Sequence, residues 1–200
     1  YTGYCYYIQK ELQKALIEFL IVEQLSGYEQ IAPYYIVQIH YAQGEYKKVY
    51  KRAEELLKRY PDNQQNNELH RMLGEMYYQD SLYDDAVRHL EAYRTICRDN
   101  NMEILRNDMY LLGLSHYMIR NYQEAANYLK TIALSEDTIS ENICLHLGHA
   151  YLRLEDIENA KLSYAAAIRY NINSKVREEA MYNYVEVTYL QNSALGESIN

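Results

Sequence analysis

Two histidines three residues apart are the side chains in this sequence that come closest to a metal site. His146 and His149 share one face of a predicted helix, and Glu141 or His116 could supply a third ligand. No HExxH motif or similar ligand spacing surrounds them. Histidines on repeated helices more often pack or lie at the surface, so we expect no bound metal and no cofactor.

Other catalytic motifs are also missing from the sequence. There is no GxSxG nucleophile elbow and no phosphate-binding glycine loop. Cys5, Cys97 and Cys144 are far apart and lack the paired spacing of a zinc or redox site, so we expect all three to be small buried residues. The sequence therefore predicts that the protein is not an enzyme and has no catalytic residues.

The net charge of -8 argues against a nucleic-acid partner, because binding to a phosphate backbone requires clustered lysine and arginine. One helix carries a basic cluster among glutamates, which we interpret as a solvated outer face: Lys47, Lys48, Lys51, Arg52, Lys58 and Arg59. No apolar run reaches the roughly 18 residues that suggest a membrane-spanning helix. We expect neither nucleic-acid binding nor a membrane-spanning segment.

The elements that carry these residues repeat along the chain. Residues 73–90, LGEMYYQDSLYDDAVRHL, indicate two short helices and a tight turn, and similar segments begin at Thr2, Ile36, Leu112, Leu147 and, cut short, Val185. One position of the repeat, which we call the slot, sets the register and usually holds a small residue. The slot residues are Gly3, Val37, Gly74, Gly113, Gly148 and, in the last copy, Glu186. The spacing of 34 to 39 residues between slots varies with the length of the polar loops.

Apolar spacing predicts the helices themselves. Residues 1–9 are predicted to be the tail of a first helix, which is followed by its returning partner and then by a helix over 29–42. Three helix pairs are predicted after these: 67–79 with 83–97, 104–119 with 122–134, and 140–153 with 157–170. The second helices carry a small residue, Val49, Ala86, Ala125 or Ala160, that we expect to face the glycine slot. Small residues on both sides would let the axes approach to about 8 Å.

The pattern of Leu73, Gly74, Tyr77, Ala86 and Leu90 resembles the tetratricopeptide repeat (TPR). The signature's tryptophan is absent, and its closing proline appears only as Pro61. The resemblance covers essentially the whole chain and implies an all-α fold, a right-handed α-α superhelix of about five helix-turn-helix repeats. We expect a single array over 1–200, a fragment of a longer repeat protein, with repeats at about 1–28 (partial), 29–63, 67–100, 104–137, 140–173 and 176–200 (partial).

Two segments, 32–46 and 177–200, resemble more narrowly the long multi-repeat cell-envelope proteins of Bacteroidetes. Those proteins are similar to the Tol-Pal-associated periplasmic TPR proteins. This resemblance implies a location in the periplasm or cell envelope and brings no catalytic residues with it.

Tyrosine is the residue type best suited to a binding surface, since the chain has 25 tyrosines, one phenylalanine and no tryptophan. A column of Tyr7, Tyr41, Tyr78 and Tyr117 directly follows a column of Tyr6, His40, Tyr77 and His116. The columns point about 100° apart, so only one can be the main core column. The first column could form a ladder that binds a peptide, or its rings could simply pack between repeats.

First helices line the concave surface of such an array, so we expect a partner-binding groove there. Its predicted residues are Tyr34, Gln38, Tyr41, Arg71, Glu75, Tyr78, Tyr110, Leu114, Tyr117, His149 and Arg153. This set does not match the Lys, Asn and Arg clamp of chaperone-binding TPR domains. We therefore expect no binding of acidic chaperone tails.

These features favour a non-catalytic scaffold that binds a protein or peptide in its groove. Two alternatives stay open: the array is the recognition or self-association arm of a larger multidomain protein, or its aromatic surface binds a glycan. The terminal repeats would lack a neighbouring repeat on one side, so an end-to-end homodimer is a further possibility.

Overall fold

The computed structural model is helical throughout its ordered elements. It describes residues 1–132 and 134–197, with side chains described as far as Asn192. The helices are α1 (Thr2–Ile8), α2 (Leu12–Val22), α3 (Ala32–Ala42), α4 (Tyr46–Arg59), α5 (Asn66–Gln79), α6 (Tyr83–Asp99), α7 (Arg106–Met118), α8 (Tyr122–Leu129), α9 (Thr138–Arg153), α10 (Ile157–Tyr170) and α11 (Ser174–Glu197). No strand occurs within the described ranges.

Two compact units divide the chain. The first comprises Tyr1–Asp80 with Arg88–Met102, and the second comprises Ser81–Val87 with the chain from Glu103 onward. Helix α6 therefore contributes its first residues to the second unit and the remainder to the first.

In the first unit, helices α1 to α5 pack in chain order, and the first helices α3 and α5 also touch each other. Val37, Val49 and Ala53 are fully buried in one core cluster between α3, α4 and α5. The valine in the slot of α3 is thus accommodated by small residues on α4. A second cluster joins α2 to α3 through Phe19 and Ile36.

In the second unit, α7 to α11 follow the same order of packing, with additional contacts between α7 and α9 and between α9 and α11. Leu129 on α8 and Ile143 on α9 are fully buried in one cluster. Tyr164 on α10 is fully buried in another, which extends to α11. Helix α9 is therefore covered by α8, and α11 is covered by α10.

Every hairpin turn places one residue in the left-handed region, two positions before its second helix. The φ angles are 60° at Lys10, 74° at Gly44, 61° at Ser81, 64° at Arg120 and 60° at Glu155. The next residue's amide then closes the turn onto the first helix, as Asn121 N does onto His116 O at 2.8 Å. This is the C-terminal motif that usually places glycine in the left-handed position. Only one of the five turns has glycine there.

The side chains that lie over the slot glycines are not the small ones expected from the sequence. A Cβ on Gly113 would lie 2.7 Å from the Leu129 side chain, and a Cβ on Gly148 would lie 2.5 Å from the Tyr164 ring. The glycines therefore accommodate a large side chain, one turn beyond the predicted small residues Ala125 and Ala160. Ala125 does face the Gly113 slot, with its backbone O 3.6 Å from that Cβ position, but the prediction that only small residues lie there is wrong, because the missing Cβ makes room for the large side chain.

The register of the last copy also needs correction. In α9, Ile143, Leu147 and Ala150 pack against α8. In α11, the corresponding packing against α10 is made by Ala180, Tyr184 and Val187, each 37 residues later. The same offset carries the slot residue Gly148 to Val185, not to Glu186. Helix α11 also continues through 191–193, where the turn at 154–156 would recur 37 residues later.

Cysteine burial matches the expectation at two positions. Cys97 and Cys144 are buried, but Cys5 is exposed. Cys5 lies two residues after Gly3, about 200° around α1 from the side that contacts α2. The prediction of a buried Cys5 is therefore wrong.

Candidate functional site

Tyrosine hydroxyls connect successive first helices in the first unit. Tyr7 on α1 donates a hydrogen bond to Gln38 Oε1 on α3 at 2.8 Å. Tyr41 on α3 donates in the same way to Glu75 Oε2 on α5. Burial raises the pKa of Tyr7, and burial together with the Glu75 hydrogen bond raises the pKa of Tyr41. Both phenols thus stay protonated and act as donors at neutral pH.

A charged group continues this row along α5. Arg71 Nε lies 3.0 Å from Glu68 Oε2, and an Arg71 terminal nitrogen lies 3.9 Å from Glu75 Oε2. The Arg71 side chain is 22% exposed and that of Glu75 is 27% exposed. Glu75 Oε2 therefore interacts with both Tyr41 and Arg71, and Glu75 Oε1 accepts from Gln79 Nε2 at 3.4 Å, while the side chain stays partly exposed. We call Tyr7, Gln38, Tyr41, Arg71 and Glu75 the polar row.

An aromatic cluster borders the polar row at α1. The Tyr35 ring stacks on Phe19 with centroids 4.7 Å apart. The rings of Tyr4 and Tyr7 meet Tyr35 edge to face, at 5.8 and 5.3 Å. Edge-to-face pairs and offset stacks are the arrangements that aromatic rings prefer. These rings thereby hold Tyr7 in position for its bond to Gln38.

Two predicted groove residues lie in the core. Tyr34 is 0% exposed and donates to Asn66 Oδ1 at 2.9 Å. Burial raises the pKa of Tyr34 to about 12. Leu114 is 7% exposed. The prediction that these two side chains line an open surface is wrong, since α3 turns Tyr34 toward the α3–α5 cluster.

In the second unit, the corresponding surface is built around two histidines of α9. The Tyr110 hydroxyl lies 3.2 Å from His146 Nδ1, which is also 2.8 Å from Asn142 O. His149 Nε2 lies 3.4 Å from Glu179 Oε1 on α11. Burial lowers the pKa of both histidines; for His149, burial, His146 and Arg153 lower it to about 4. Both rings are therefore neutral at pH 7.

The remaining predicted groove residues lie at the surface to different degrees. Tyr78 and Tyr117 are half-buried and Arg153 is exposed. Tyr117 packs on Tyr122 with centroids 5.3 Å apart, and a side-chain hydrogen bond with Tyr117 raises the pKa of Arg153. The rings of His146 and His149 meet edge to face at 5.7 Å. No group of three metal-ligating side chains occurs in the described part of the chain.

Sequence reasoning missed a buried histidine pair in the first unit. His70 Nδ1 on α5 and His89 Nδ1 on α6 are 2.9 Å apart, so one neutral ring donates to the other. His89 is 0% exposed, and its Nε2 lies 3.2 Å from Glu54 Oε1 on α4. Burial and then His89 lower the pKa of His70 to about 4. Their positions, one turn before slot residue Gly74 and next to Leu90, could have indicated this contact.

Within the described ranges, none of the helices has the length and apolar character of a membrane-spanning segment.

Residues 34–101 match the sequence model of the tetratricopeptide repeat family. No curated protein matches the chain significantly. Among solved structures, the chain is similar to PcrH from Pseudomonas aeruginosa, with a TM-score of 0.50 and 20% identity over 61% of this chain and 91% of that one. It is similar to MamA of AMB-1, with a TM-score of 0.60 and 18% identity over 84% of this chain and 95% of that one. It is also similar to BtubC (BKLC) from P. vanneervenii, with a TM-score of 0.62 and 13% identity over 92% of this chain and 82% of that one.

These similarities lie below 25% identity and bear on the fold. They confirm the predicted fold class, an all-α array of the α-α superhelix type. The narrower resemblance to Bacteroidetes envelope proteins stays a prediction. Residues 34–101 therefore match the tetratricopeptide repeat family, and the structural likeness shows the same helical-repeat fold over most of the chain.

Proposed function

We propose that this protein is a non-catalytic scaffold that binds a peptide or a segment of a partner protein on its first helices. The polar row carries this proposal. Its two hydroxyls, its amide and its carboxylate are held by hydrogen bonds between successive repeats, Tyr7 to Gln38 and Tyr41 to Glu75. A surface that is ordered before binding loses little side-chain entropy when a partner docks.

The tyrosines have a different role in this proposal from the one their number first suggested. Because the hydroxyls of Tyr7 and Tyr41 already donate within the chain, they position Gln38 and Glu75. The Glu75 carboxylate, assisted by Arg71, is then the group that meets backbone amides or basic side chains of the partner. Tyr110, Tyr117, His149 and Arg153 form the corresponding candidate surface in the second unit, while Tyr78 belongs to α5 in the first unit.

Selection from a phage-displayed random peptide library tests the proposal. We expect the intact chain to select peptides with a shared pattern that bind saturably when synthesised. Glu75→Lys should weaken their binding by about tenfold or more, as loss of a central charged contact does. Lys51→Glu, on the exposed outer face of α4, is the matched charge reversal and should have no effect.

Two results would contradict the proposal: a selection without any shared pattern, or selected peptides that bind Glu75→Lys and Lys51→Glu equally well. A glycan-binding surface is the less favoured alternative, since the hydroxyls that would bind a sugar are engaged within the chain. Hits on a saccharide array that are lost in Glu75→Lys would reverse this preference.

We further propose, from the sequence resemblance, that the scaffold acts in the periplasm or cell envelope as part of a longer repeat protein. Release of the full-length protein by osmotic shock, with a cytoplasmic enzyme retained in the cells as the control, would support this location. Its retention with the cytoplasmic marker would contradict it.

A further inference from the structure

A tyrosine hydroxyl is buried in the second unit without a hydrogen-bond partner. Tyr164 of α10 is 0% exposed, and its hydroxyl forms no hydrogen bond with any described residue. Buried polar groups in folded proteins are nearly always hydrogen-bonded, so an exception requires an explanation. The positions equivalent to Tyr164 in α6 and α8 hold Leu90 and Leu129, which lie over their slot glycines without a polar atom. Packing alone therefore does not require the hydroxyl.

The hydroxyl end of Tyr164 points toward the candidate surface of the second unit. The Cζ atom, which carries the hydroxyl, lies 2.8 Å from the position of a Cβ on Gly148 of α9. The Tyr164 ring meets the His149 ring edge to face, with centroids 5.6 Å apart. Burial raises the pKa of Tyr164, carboxylates of α11 including Glu179 raise it further, and Arg153 of α9 lowers it. Charged groups of α9 and α11 thus lie around the hydroxyl.

Glu179 of α11 places an unbalanced negative charge near this hydroxyl. Its side chain is 54% exposed, and its Oε1 lies 3.4 Å from His149 Nε2. Burial, His146 and Arg153 lower the pKa of His149 to about 4, so the imidazole is neutral at pH 7 and does not balance the carboxylate. Glu179 forms no ion pair with a lysine or arginine among the described residues. Its carboxylate is therefore available to a partner.

The second unit as a whole is strongly acidic. Its sequence contains fifteen aspartates and glutamates and eight lysines and arginines, so it carries -7 of the total net charge of -8. The first unit, with thirteen acidic and twelve basic residues, carries the remaining -1. A surface of one sign attracts partners of the opposite sign and repels those of the same sign. The charge of the second unit favours a basic partner.

A carboxylate and a phenolic oxygen without partners require a group that can donate to both. The ammonium of lysine and the guanidinium of arginine carry several donors and no acceptor. Their hydrogen bonds to a carboxylate are about twice as strong as those between neutral groups. From this geometry we infer that Glu179 and Tyr164 form a site for a basic side chain of the bound partner. The inference rests on the proposed function and names the residue type that the partner presents to the second unit.

His149 and Arg153 determine how the basic side chain enters this site. The hydroxyl is buried in the free chain, so the incoming group reaches it when the His149 ring turns away from its 3.4 Å contact with Glu179. Arg153 lies one helical turn after His149, and a hydrogen bond with Tyr117 raises the pKa of its guanidinium. Because like charges repel, the basic group binds on the α11 side of His149, and carbonyl oxygens of the partner face Arg153.

Peptides selected by phage display on the intact chain test the site. We expect a lysine or arginine at one position of their shared pattern. Replacing it with glutamine in the synthetic peptide should weaken binding by about tenfold, because a charge-assisted hydrogen bond is lost. Fluorescence anisotropy of the labelled peptides, titrated with the intact chain, measures this change.

Glu179→Gln in the chain should weaken binding of the unmodified peptide by about tenfold as well. The matched control is Glu178→Gln, which removes the same charge from the adjacent exposed residue, about 100° around α11. It should bind the peptide like the unaltered chain. The glutamine-substituted peptide should bind Glu179→Gln almost as well as the unmodified peptide does, since the two changes remove the same interaction.

Tyr164→Phe separates the contribution of the hydroxyl from that of the ring. Because the hydroxyl makes no hydrogen bond in the free chain, its removal should leave the urea midpoint unchanged or raise it. Peptide binding should weaken by about threefold to tenfold. A hydroxyl with a purely structural role would give the reverse result, a lower urea midpoint and an unchanged affinity.

Three further results would overturn the inference: a shared peptide pattern without a basic residue, equal binding by Glu179→Gln and Glu178→Gln, or fully additive losses from the peptide substitution and Glu179→Gln. Each of them leaves the proposed function in place, because saturable binding that depends on Glu75 would remain. A selection without any shared pattern would instead overturn the proposed function and this inference with it.

Discussion

At the scale of single residues, tyrosine hydroxyls form hydrogen bonds between adjacent repeats. Besides Tyr7 and Tyr41, Tyr34 donates to Asn66 and Tyr50 donates to Asp80 at 2.7 Å. Partners in these pairs lie about one repeat apart in the sequence. Phenylalanine would fill the same volume without the donor, which is a physical reason for 25 tyrosines beside a single phenylalanine.

Tyr34→Phe should therefore be more destabilising than its size suggests. The change removes the donor to Asn66 Oδ1, while the Asn66 amide remains bound to Tyr60 O and Pro61 O. An unsatisfied buried acceptor costs about 1 to 3 kcal/mol of unfolding free energy. Urea unfolding measures the loss, and Tyr46→Phe, at a 42% exposed ring, should change stability by less than about 0.5 kcal/mol. Equal effects of the two variants would contradict this account.

The histidine pair predicts a pH-dependent stability. The pKa of His70, lowered by burial and by His89 to about 4, lies below the unfolded value of 6.5. The unfolded chain therefore takes up a proton before the folded chain does, and stability is lost as pH falls from about 6.5 to about 4. Glu54 partly offsets this effect, and Arg88 adds to it.

His70→Gln keeps an amide donor for His89 but cannot titrate. Between pH 7 and pH 4.5 it should lose less stability than the unaltered chain, by on the order of 1 to 3 kcal/mol. Urea midpoints at the two pH values measure this difference. Parallel pH profiles for the two proteins would rule out His70 as a source of the dependence.

At the scale of elements, the hairpin turns combine regular geometry with unfavourable residue types. Arg120 has φ of 64° and Glu155 has φ of 60°, where residues other than glycine are strained. Arg120→Gly should raise the free energy of unfolding by up to about 1 kcal/mol. Gly44→Ala, at φ of 74°, should lower it by a similar amount. Thermal melts measure both, and a destabilised Arg120→Gly variant would show that its side chain contributes more than the strain costs.

The glycine slots give a second prediction for the elements. Gly113→Ala should cost about 1 to 3 kcal/mol, because its new Cβ would lie 2.7 Å from the Leu129 side chain. Leu129→Ala makes room for this methyl group, so the double variant should be less destabilised than the sum of the two single changes. Strict additivity in a double-mutant cycle would contradict the contact.

Periodicity predicted the helix starts at Tyr83, Tyr122 and Ile157, since apolar spacing depends on helix geometry alone. It missed the left-handed turn residues because most of them are not glycine. It also placed the end of α8 beyond Leu129, where the structure ends the helix before a loop. Which side chain lies over each slot glycine depends on the tilt between two helices, and residue spacing in the sequence does not determine that tilt.

For the candidate site, the column analysis identified Gln38, Tyr41 and Glu75, which the structure joins into one row. The pattern assigned Tyr34 to the same face as Tyr41, since the two residues lie two turns apart. Both side chains meet α5, Tyr34 at Asn66 and Tyr41 at Glu75, but Tyr34 is fully buried and Tyr41 is only half-buried, so equal spacing did not give equal exposure. The one-residue register error at Glu186 hid the exposure of apolar residues on α11 such as Val185 and Tyr189.

The behaviour of the whole chain follows from the short range of its contacts. In an array, each repeat packs mainly on its neighbours, so stability is close to a sum of local terms. Gly148→Leu overpacks the α9–α10 crossing beneath Tyr164 and should raise hydrogen–deuterium exchange in α9 to α11. Peptides from α1 to α4 should exchange at unchanged rates. Ala53→Leu, at a fully buried position in the first unit, is the reciprocal control and should accelerate exchange in α3 to α5. If either variant accelerated exchange uniformly along the chain, the two units would unfold as one cooperative block, and local repeat energetics would not describe this protein.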